Sequence, residues 1–215
     1  MKNIFARLLA PAAAALLIAA CGKSDSKKDY GFPLIYIPQA TVTGLDNSYP
    51  VPLGPFGQNS VYTCYYRDGR LNVAFGVVRA GAIANASGFT VDFRISQAQT
   101  DAKLASLTEA GNYAQALDPS LCQIPSTISV EAGKNTGTTY LGIDLTALAA
   151  RRESLWNGEA YPLLVLGVEI ANPTAYELAE ENTAAVLLLD LNSEYWDSAP
   201  AEMAESAVRN LFPMN

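Results

Sequence analysis

The sequence of 215 residues contains no histidine. Histidine is the usual general base near neutral pH and the commonest metal ligand, so its absence excludes a Ser-His-Asp triad and a Cys-His dyad. Glycine-rich phosphate loops, Asp-rich calcium loops and Cys-x-x-Cys motifs are also absent. Carboxylates are plentiful, but the sequence singles out no pair of the kind that a glycosidase uses. We therefore expect no enzyme activity, no cofactor and no metal site.

Cysteine is scarce as well, with three residues in the whole chain. Cys21 ends an apolar N-terminal run, and Cys64 and Cys122 lie within the region of regular pattern. An even pair in an exported protein is compatible with a disulfide. Two separate buried thiols are equally compatible with the sequence, because a free cysteine behaves as a small hydrophobe.

Basic residues are few, and two of them, Lys2 and Arg7, precede the apolar run. Without residues 1–20 the chain has 12 Lys and Arg against 21 Asp and Glu, a net charge of −9. Nucleic acid and anionic lipid headgroups both favour a basic protein surface. The charge therefore argues against either as the main partner.

The apolar run at residues 8–20 is too short to cross a bilayer as a helix, since 13 residues span about 20 Å. With its basic start it has the pattern of a secretory signal. The run ends in Ile18-Ala19-Ala20-Cys21, small residues before a cysteine, which is the pattern that lipoprotein signal peptidase accepts. We expect residues 1–20 to be removed and Cys21 to carry acyl chains that hold the protein to a membrane.

Residues 21–33 are expected to form a tether, because their polar stretch cannot bury enough surface to offset the entropy of ordering. Lipoproteins exported to the cell surface resemble one another in an acidic run just after the lipidated cysteine. Here residues 22–29 carry three lysines and two aspartates. This composition favours the periplasmic face of the outer membrane.

Beyond the tether the hydrophobic pattern has mostly period two, which predicts β-strands. In the clearest case, Phe89, Val91, Phe93 and Ile95 share one face. Residues 160–170 and 183–191 are apolar on both faces, which predicts neighbouring central strands. The predicted strands are residues 34–37, 60–66, 71–77, 89–95, 126–133, 138–145, 160–170 and 183–191. The sequence "RDGR" at 67–70 predicts a hairpin turn.

One helix is predicted after residue 95, with Ser96 and Gln99 as a capping box and Gly111 just beyond its end. The resulting fold class is all-β: a two-sheet β-sandwich at residues 34–191 with one short inserted helix. The tail, residues 192–215, leaves the strand pattern and is predicted to contain a short C-terminal helix.

Four stretches in order resemble a known lipoprotein module. They are "IYIPQA" at 35–40, "ISVEAGKNTG" at 128–137, "LGIDLTAL" at 141–148 and "YPLLVLGVEIANPT" at 161–174. Together they are similar to the Bacteroidetes module called domain of unknown function 1735. The resemblance implies an immunoglobulin-like sandwich and a place in polysaccharide or glycoprotein utilisation at the cell envelope. It also favours the cell surface over the periplasmic face, because large glycans are captured outside the cell. It supplies no catalytic residues.

Two functions are compatible with this resemblance. The first is a non-catalytic module that binds a glycan or an envelope protein. The second is a structural spacer or partner subunit of an outer-membrane uptake complex, favoured because no further module follows the last predicted strand. Sugars stack on exposed aromatic rings, and aromatic residues in polar, turn-rich surroundings are the candidates for such contacts: Trp156, Tyr195, Trp196, Tyr65 and Tyr66. Each ring could equally cap the end of the core.

Overall fold

The computed structural model describes residues 31–44, 46–54, 64–199 and 205–213. Cys21, the lipidation motif and most of the predicted tether lie outside these residues. The strands of the described residues are β1 (Leu34–Tyr36), β2 (Ser48–Val51), β3 (Cys64–Arg67), β4 (Arg70–Arg79), β5 (Phe89–Ile95), β6 (Ala114–Ala116), β7 (Cys122–Gln123), β8 (Thr127–Val130), β9 (Thr136–Asp144), β10 (Leu163–Ala171), β11 (Glu177–Leu178) and β12 (Ala184–Leu189). The helices are α1 (Gln97–Glu109), α2 (Leu145–Ala149), α3 (Arg152–Leu155) and α4 (Glu205–Leu211), with 3-10 turns at Pro38–Thr41, Pro119–Leu121 and Glu194–Ser198.

The strands form two sheets of six. The first sheet has the order β11-β1-β4-β9-β7, with β3 also paired to β4, and the second has the order β2-β12-β10-β5-β8, with β6 also paired to β10. The predicted fold class, two β-sheets with few short helices, is confirmed. Helices α1 and α4 correspond to the predicted inserted and C-terminal helices, whereas α2 and α3 have no predicted counterpart. Both sheets are mixed, because β1 with β11, β2 with β12 and β6 with β10 are parallel pairs.

The core lies between the sheets and follows the predicted alternation. On β5, Phe89, Val91 and Phe93 are buried and Ile95 is half-buried. Leu141 and Ile143 on β9, and Leu145 at its end, are also buried. One face of each strand therefore points into the core and the other toward the outside, as the period-two pattern requires.

The central strands β10 and β12 are neighbours, as their double-faced apolar pattern predicts, and they pair antiparallel. Helix α1 covers their outer face, where Leu104 and Leu107 pack on Val165, Val186 and Leu188. The helix lies close to the sheet because β10 has a glycine beneath it. A Cβ at Gly167 would stand 2.6 Å from both the Gln99 Cβ and the Ser96 carbonyl oxygen, so any side chain there would push α1 outward.

The start of α1 differs from the predicted capping box. The Ser96 side chain makes no bond to the helix N-terminus. Its hydroxyl instead donates to Glu169 and, together with Arg94, lowers the pKa of that carboxyl. Gln99 accepts a hydrogen bond from the Asn47 amide, at 3.2 Å. The prediction for the helix end is confirmed, since Gly111 has a φ of +78° that favours glycine.

The "RDGR" turn is confirmed, with Arg67 paired to Arg70 and positive φ at Asp68 and Gly69.

The C-terminal residues complete the core rather than extending away from it. Trp196, Val208 and Phe212 are each 0% exposed and belong to the same cluster as the buried strand residues.

The alternation on β5 yields a stability prediction. Val91→Asp places a charge without a partner in the core and should lower the free energy of unfolding by about 3 kcal/mol or more. Thr90→Asp, one residue away on the outer face, should cost less than about 1 kcal/mol. Urea unfolding of both variants measures the difference, and equal midpoints would contradict the face assignment.

Candidate functional site

A cleft of about 370 Å³ opens at the end of the sandwich where β9 leaves the first sheet and β10 begins in the second. Helices α2 and α3 and the segment 156–162 connect these two strands. The cleft is lined by Arg152, Glu153, Trp156, Tyr161 and Pro213. Its volume falls at the lower end of the range usual for small-molecule sites.

Two aromatic rings form one wall of the cleft. The rings of Trp156 and Tyr161 lie 4.9 Å apart between centroids, at an interplanar angle of 63°. Phe212 contacts Tyr161 from the core side at 5.4 Å and 85°. Trp156 is half-buried and packs against the core cluster, so part of its indole remains accessible. The rings are therefore held in place by packing as well as by the chain.

Side-chain amides fix the backbone that carries these rings. The Asn157 side-chain oxygen accepts from the amides of Glu159 and Ala160, at 2.9 and 2.8 Å, which closes a tight turn. Asn192 brackets Tyr161: its side-chain oxygen accepts from the Tyr161 amide and its NH₂ donates to the Tyr161 carbonyl, both at 2.9 Å. The segment between α3 and β10 is thus ordered without any ligand.

The other side of the cleft is anchored through α3. The Tyr113 hydroxyl donates to the Leu155 carbonyl at 2.7 Å. Just before α3, the Arg151 guanidinium lies 2.6 Å from a carboxylate oxygen of Asp118. This contact is the main reason that the pKa of Asp118 is lowered to about 2. The pair is solvent-exposed, so it positions the start of α3 more than it stabilises the fold.

Arg152 and Glu153 supply the polar side of the cleft, and both are exposed. A guanidinium donates several hydrogen bonds and a carboxylate accepts them. Together with the half-buried Trp156 side chain, they give the cleft the kinds of groups that stack on the C–H face of a sugar and bind its hydroxyls. Glu153 is the one carboxylate among the lining residues that the structure describes.

Of the predicted aromatic residues, Trp156 lies in this cleft. Trp196 does not: it is 0% exposed, and its indole N–H donates to the Asp190 carbonyl at 2.8 Å. The prediction that Trp196 stacks on a ligand is therefore corrected, because the ring is a core residue. Tyr195, its half-buried neighbour, is not among the lining residues. Tyr161 also lines the cleft, although the sequence does not predict it as a site residue, because "AYP" at the start of an apolar strand carries no signal of a cleft.

The pair Tyr65 and Tyr66 is divided between the two faces of β3. Tyr66 lies on the face that packs against the core and is half-buried, so its role as a ligand-stacking residue stays a prediction. Tyr65 lies on the outer face, where its ring contacts Tyr140 of β9 at 5.1 Å and 73°. Tyr140 is 43% exposed. The two tyrosines form a second aromatic surface, separate from the cleft.

Cys64 and Cys122, both within the described residues, are not joined by a disulfide. Cys64 lies on β3 and Cys122 on β7, and β4 and β9 separate these strands in the sheet. Three strand spacings amount to about 14 Å, twice the largest Cα separation that a disulfide bridges. The candidate disulfide is therefore corrected to two thiols. Burial raises the pKa of the Cys122 thiol to about 12.

Within the described ranges, no group of three or more His, Cys, Asp or Glu residues could hold a metal ion. None of the helices in the same ranges has the length and apolarity needed to span a membrane.

No family model and no curated protein matches the chain. Solved structures from Bacteroides are similar to it at low identity. A candidate carbohydrate-binding protein from Bacteroides ovatus has a TM-score of 0.44 and 15% identity, over 74% of this chain and 37% of its own. A multidomain protein including DUF1735, also from Bacteroides ovatus, has a TM-score of 0.40 and 13% identity, over 68% of this chain and 40% of its own.

An auxiliary nutrient-binding protein from Bacteroides thetaiotaomicron has a TM-score of 0.38 and 18% identity, over 63% of this chain and 40% of its own. The chain thus spans less than half the length of each of these three proteins.

The separation of the cysteines can be tested chemically. In a Cys21→Ser variant denatured without reductant, a thiol reagent should label both Cys64 and Cys122, because neither is oxidised. In the folded protein at pH 8 Cys122 should react slowly, since its raised pKa leaves almost no thiolate. Mass spectrometry counts the labels, and a denatured chain without any label would mean that the disulfide forms.

Proposed function

We propose that this protein is a non-catalytic lipoprotein module of the cell envelope, related to domain of unknown function 1735, that binds the terminal sugar of a glycan in the Trp156 cleft. One observation carries the proposal: Trp156 is half-buried in a cleft whose other lining residues are a tyrosine, an arginine, a glutamate and a proline.

The shape of the cleft favours a single sugar ring over a long chain. Of the two rings that line the cleft, Trp156 is half-buried and Tyr161 is 5% exposed, so the cleft offers one stacking surface rather than a strip along which several sugars could lie. A pyranose ring resting its C–H face on the indole would bring its hydroxyls toward Arg152 and Glu153. Charge-assisted hydrogen bonds from these two groups would then fix the orientation of the sugar.

The rigidity of the site supports the same function. The bonds from Asn157 and Asn192 order the segment 156–161 before any sugar arrives. A preformed site loses less conformational entropy on binding than a mobile loop would. This matters for single sugars, which offer few contacts to offset such a loss.

The position of the cleft fits an anchored protein. Strand β1 pairs with the C-terminal end of β4, near Arg79, whereas the cleft follows Asp144, which pairs with Arg70 at the other end of that strand. Strand β4 alone spans about 30 Å between these ends. A tether on Cys21 would therefore lead to the end of the domain opposite the cleft. We place the domain at the outer membrane and favour the cell surface.

The function can be tested through tryptophan fluorescence, because the chain has two tryptophans and Trp196 is fully buried. Titration with a panel of mono- and oligosaccharides should change the emission of Trp156 for at least one of them, at micromolar to millimolar concentration. Trp156→Phe should lose that signal, and Glu153→Gln should weaken binding about tenfold or more, as measured by calorimetry, because it removes a charge-assisted acceptor.

Two control variants keep this test specific. Tyr140→Ala alters the exposed aromatic surface on the outer face of the first sheet, outside the lining of the cleft, and should leave sugar affinity unchanged. Arg151→Gln removes an ion pair beside the cleft without removing a lining residue. The proposal fails if no sugar of the panel binds, or if Glu153→Gln and Tyr140→Ala reduce affinity equally.

One observation supports the alternative function, a structural spacer or partner subunit. Tyr65 and Tyr140 form a ring pair on the outer face of the first sheet, and Tyr140 is 43% exposed. Recovery of a stable complex from native membranes with the wild-type chain, and its loss with Tyr140→Lys, would favour this function if the sugar titrations are negative.

The lipid anchor gives a separate prediction. Labelled palmitate should enter the wild-type protein in cells, and Cys21→Ser should abolish both the labelling and the removal of residues 1–20. Protease treatment of intact cells, with a periplasmic protein as control, then tests the orientation. Digestion before lysis is expected for the cell surface, and survival until lysis would place the domain in the periplasm.

A further inference from the structure

Phe32 is the most exposed large apolar side chain of the described residues, at 81%. Its backbone is nevertheless fixed. The Phe32 carbonyl accepts a hydrogen bond from the Leu34 amide at 2.9 Å, and Pro33 restricts the residue before it to extended conformations. An ordered backbone therefore presents this aromatic ring to the outside, just before β1 begins.

The loop between β4 and β5, residues 80–88, starts beside Phe32. A Cβ at Gly31 would stand 3.8 Å from the Gly81 Cα, so the two chain segments are in contact there. The loop contains no charged residue. It belongs to the end of β4 that lies about 30 Å from the cleft end of the same strand.

This loop also exposes apolar side chains. Ala82 and Ala84 are exposed, and Ile83 between them is half-buried. Together with Phe32 they form a surface that we call the apolar tip. Clustered apolar residues on a protein surface are typical of contact sites for another protein or for a membrane.

The position of the tip along the chain indicates what it meets. Cys21, which we expect to carry acyl chains, precedes Phe32 by eleven residues. Fully extended, this stretch spans at most about 40 Å, and an unordered chain of that length averages less than half of this distance. Once acyl chains hold the domain at a membrane, a further weak contact with the same membrane costs little additional freedom.

We propose that the apolar tip rests in the headgroup layer of the membrane that holds Cys21, with the Phe32 ring at the boundary with the acyl chains. This inference rests on the lipid anchor of the proposed function. Aromatic rings favour that boundary. Charged residues flank the tip: Glu131 and Lys134 lie on the turn that bonds to its loop, and Glu177 lies on β11 beside β1. Because acids outnumber bases here, the tip suits zwitterionic headgroups better than anionic ones.

The experiment places tryptophan reporters in the palmitoylated protein, reconstituted into vesicles of phosphatidylcholine with brominated acyl chains. Bromine quenches tryptophan emission on contact. Phe32→Trp and Ala82→Trp should lose emission in these vesicles relative to vesicles without bromine. Tyr140→Trp, at an exposed position on the outer face of the first sheet, has the same anchor and should lose none. Trp156 and Trp196 give an unquenched background, because they lie in the cleft and in the core.

Equal quenching of Phe32→Trp and Tyr140→Trp would overturn the proposal. So would a Phe32→Trp emission that shifts to the blue without being quenched, since that would indicate contact with another protein chain. If the wild-type chain takes up no palmitate in cells, the anchor fails and this inference fails with it. Reporters that stay unquenched in the palmitoylated protein would overturn this inference alone and leave sugar binding in the cleft unaffected.

Discussion

The ladder between β10 and β12 is the interaction on which the rest of the molecule depends. It joins Leu164 to Leu189 at one end and Glu169 to Ala184 at the other, and it is buried on both faces. Its inner face completes the core, and its outer face accepts α1 above Gly167. The same ladder brings Asn192, just after β12, beside Tyr161, just before β10. The cleft is therefore positioned by the most protected part of the sheet.

Much of this fold is predictable from local pattern. Alternation alone identifies the buried faces of β5 and β9, and the double-faced apolar runs identify β10 and β12 as central neighbours. The parallel pairings are not predictable in the same way. Strand β6, for example, follows α1 in the chain and pairs parallel with β10. The packing of the helix sets this pairing, because the three residues of β6 carry no feature that predicts it.

The candidate site is predictable only in part, because the local pattern shows which residues are aromatic but not which are exposed. Trp156 and Trp196 stand in similarly polar surroundings. A 3-10 turn carries Trp196 inward, and the Asp190 carbonyl accepts its indole N–H, so the polar neighbours line the surface while the ring fills the core. Tyr65 and Tyr66 are both half-buried but lie on opposite faces of the sheet, since consecutive residues on a strand face opposite sides.

The location of Pro213 in the lining of the cleft has a practical consequence. An affinity tag or a surface attachment joined directly after Pro213 would begin at the cleft and would crowd it. A fusion at the N-terminal side joins the domain at Gly31, beside Gly81 and the far end of β4. Immobilising the protein through that end leaves the cleft facing solution, and the two formats should therefore not be treated as interchangeable in any assay of ligand capture.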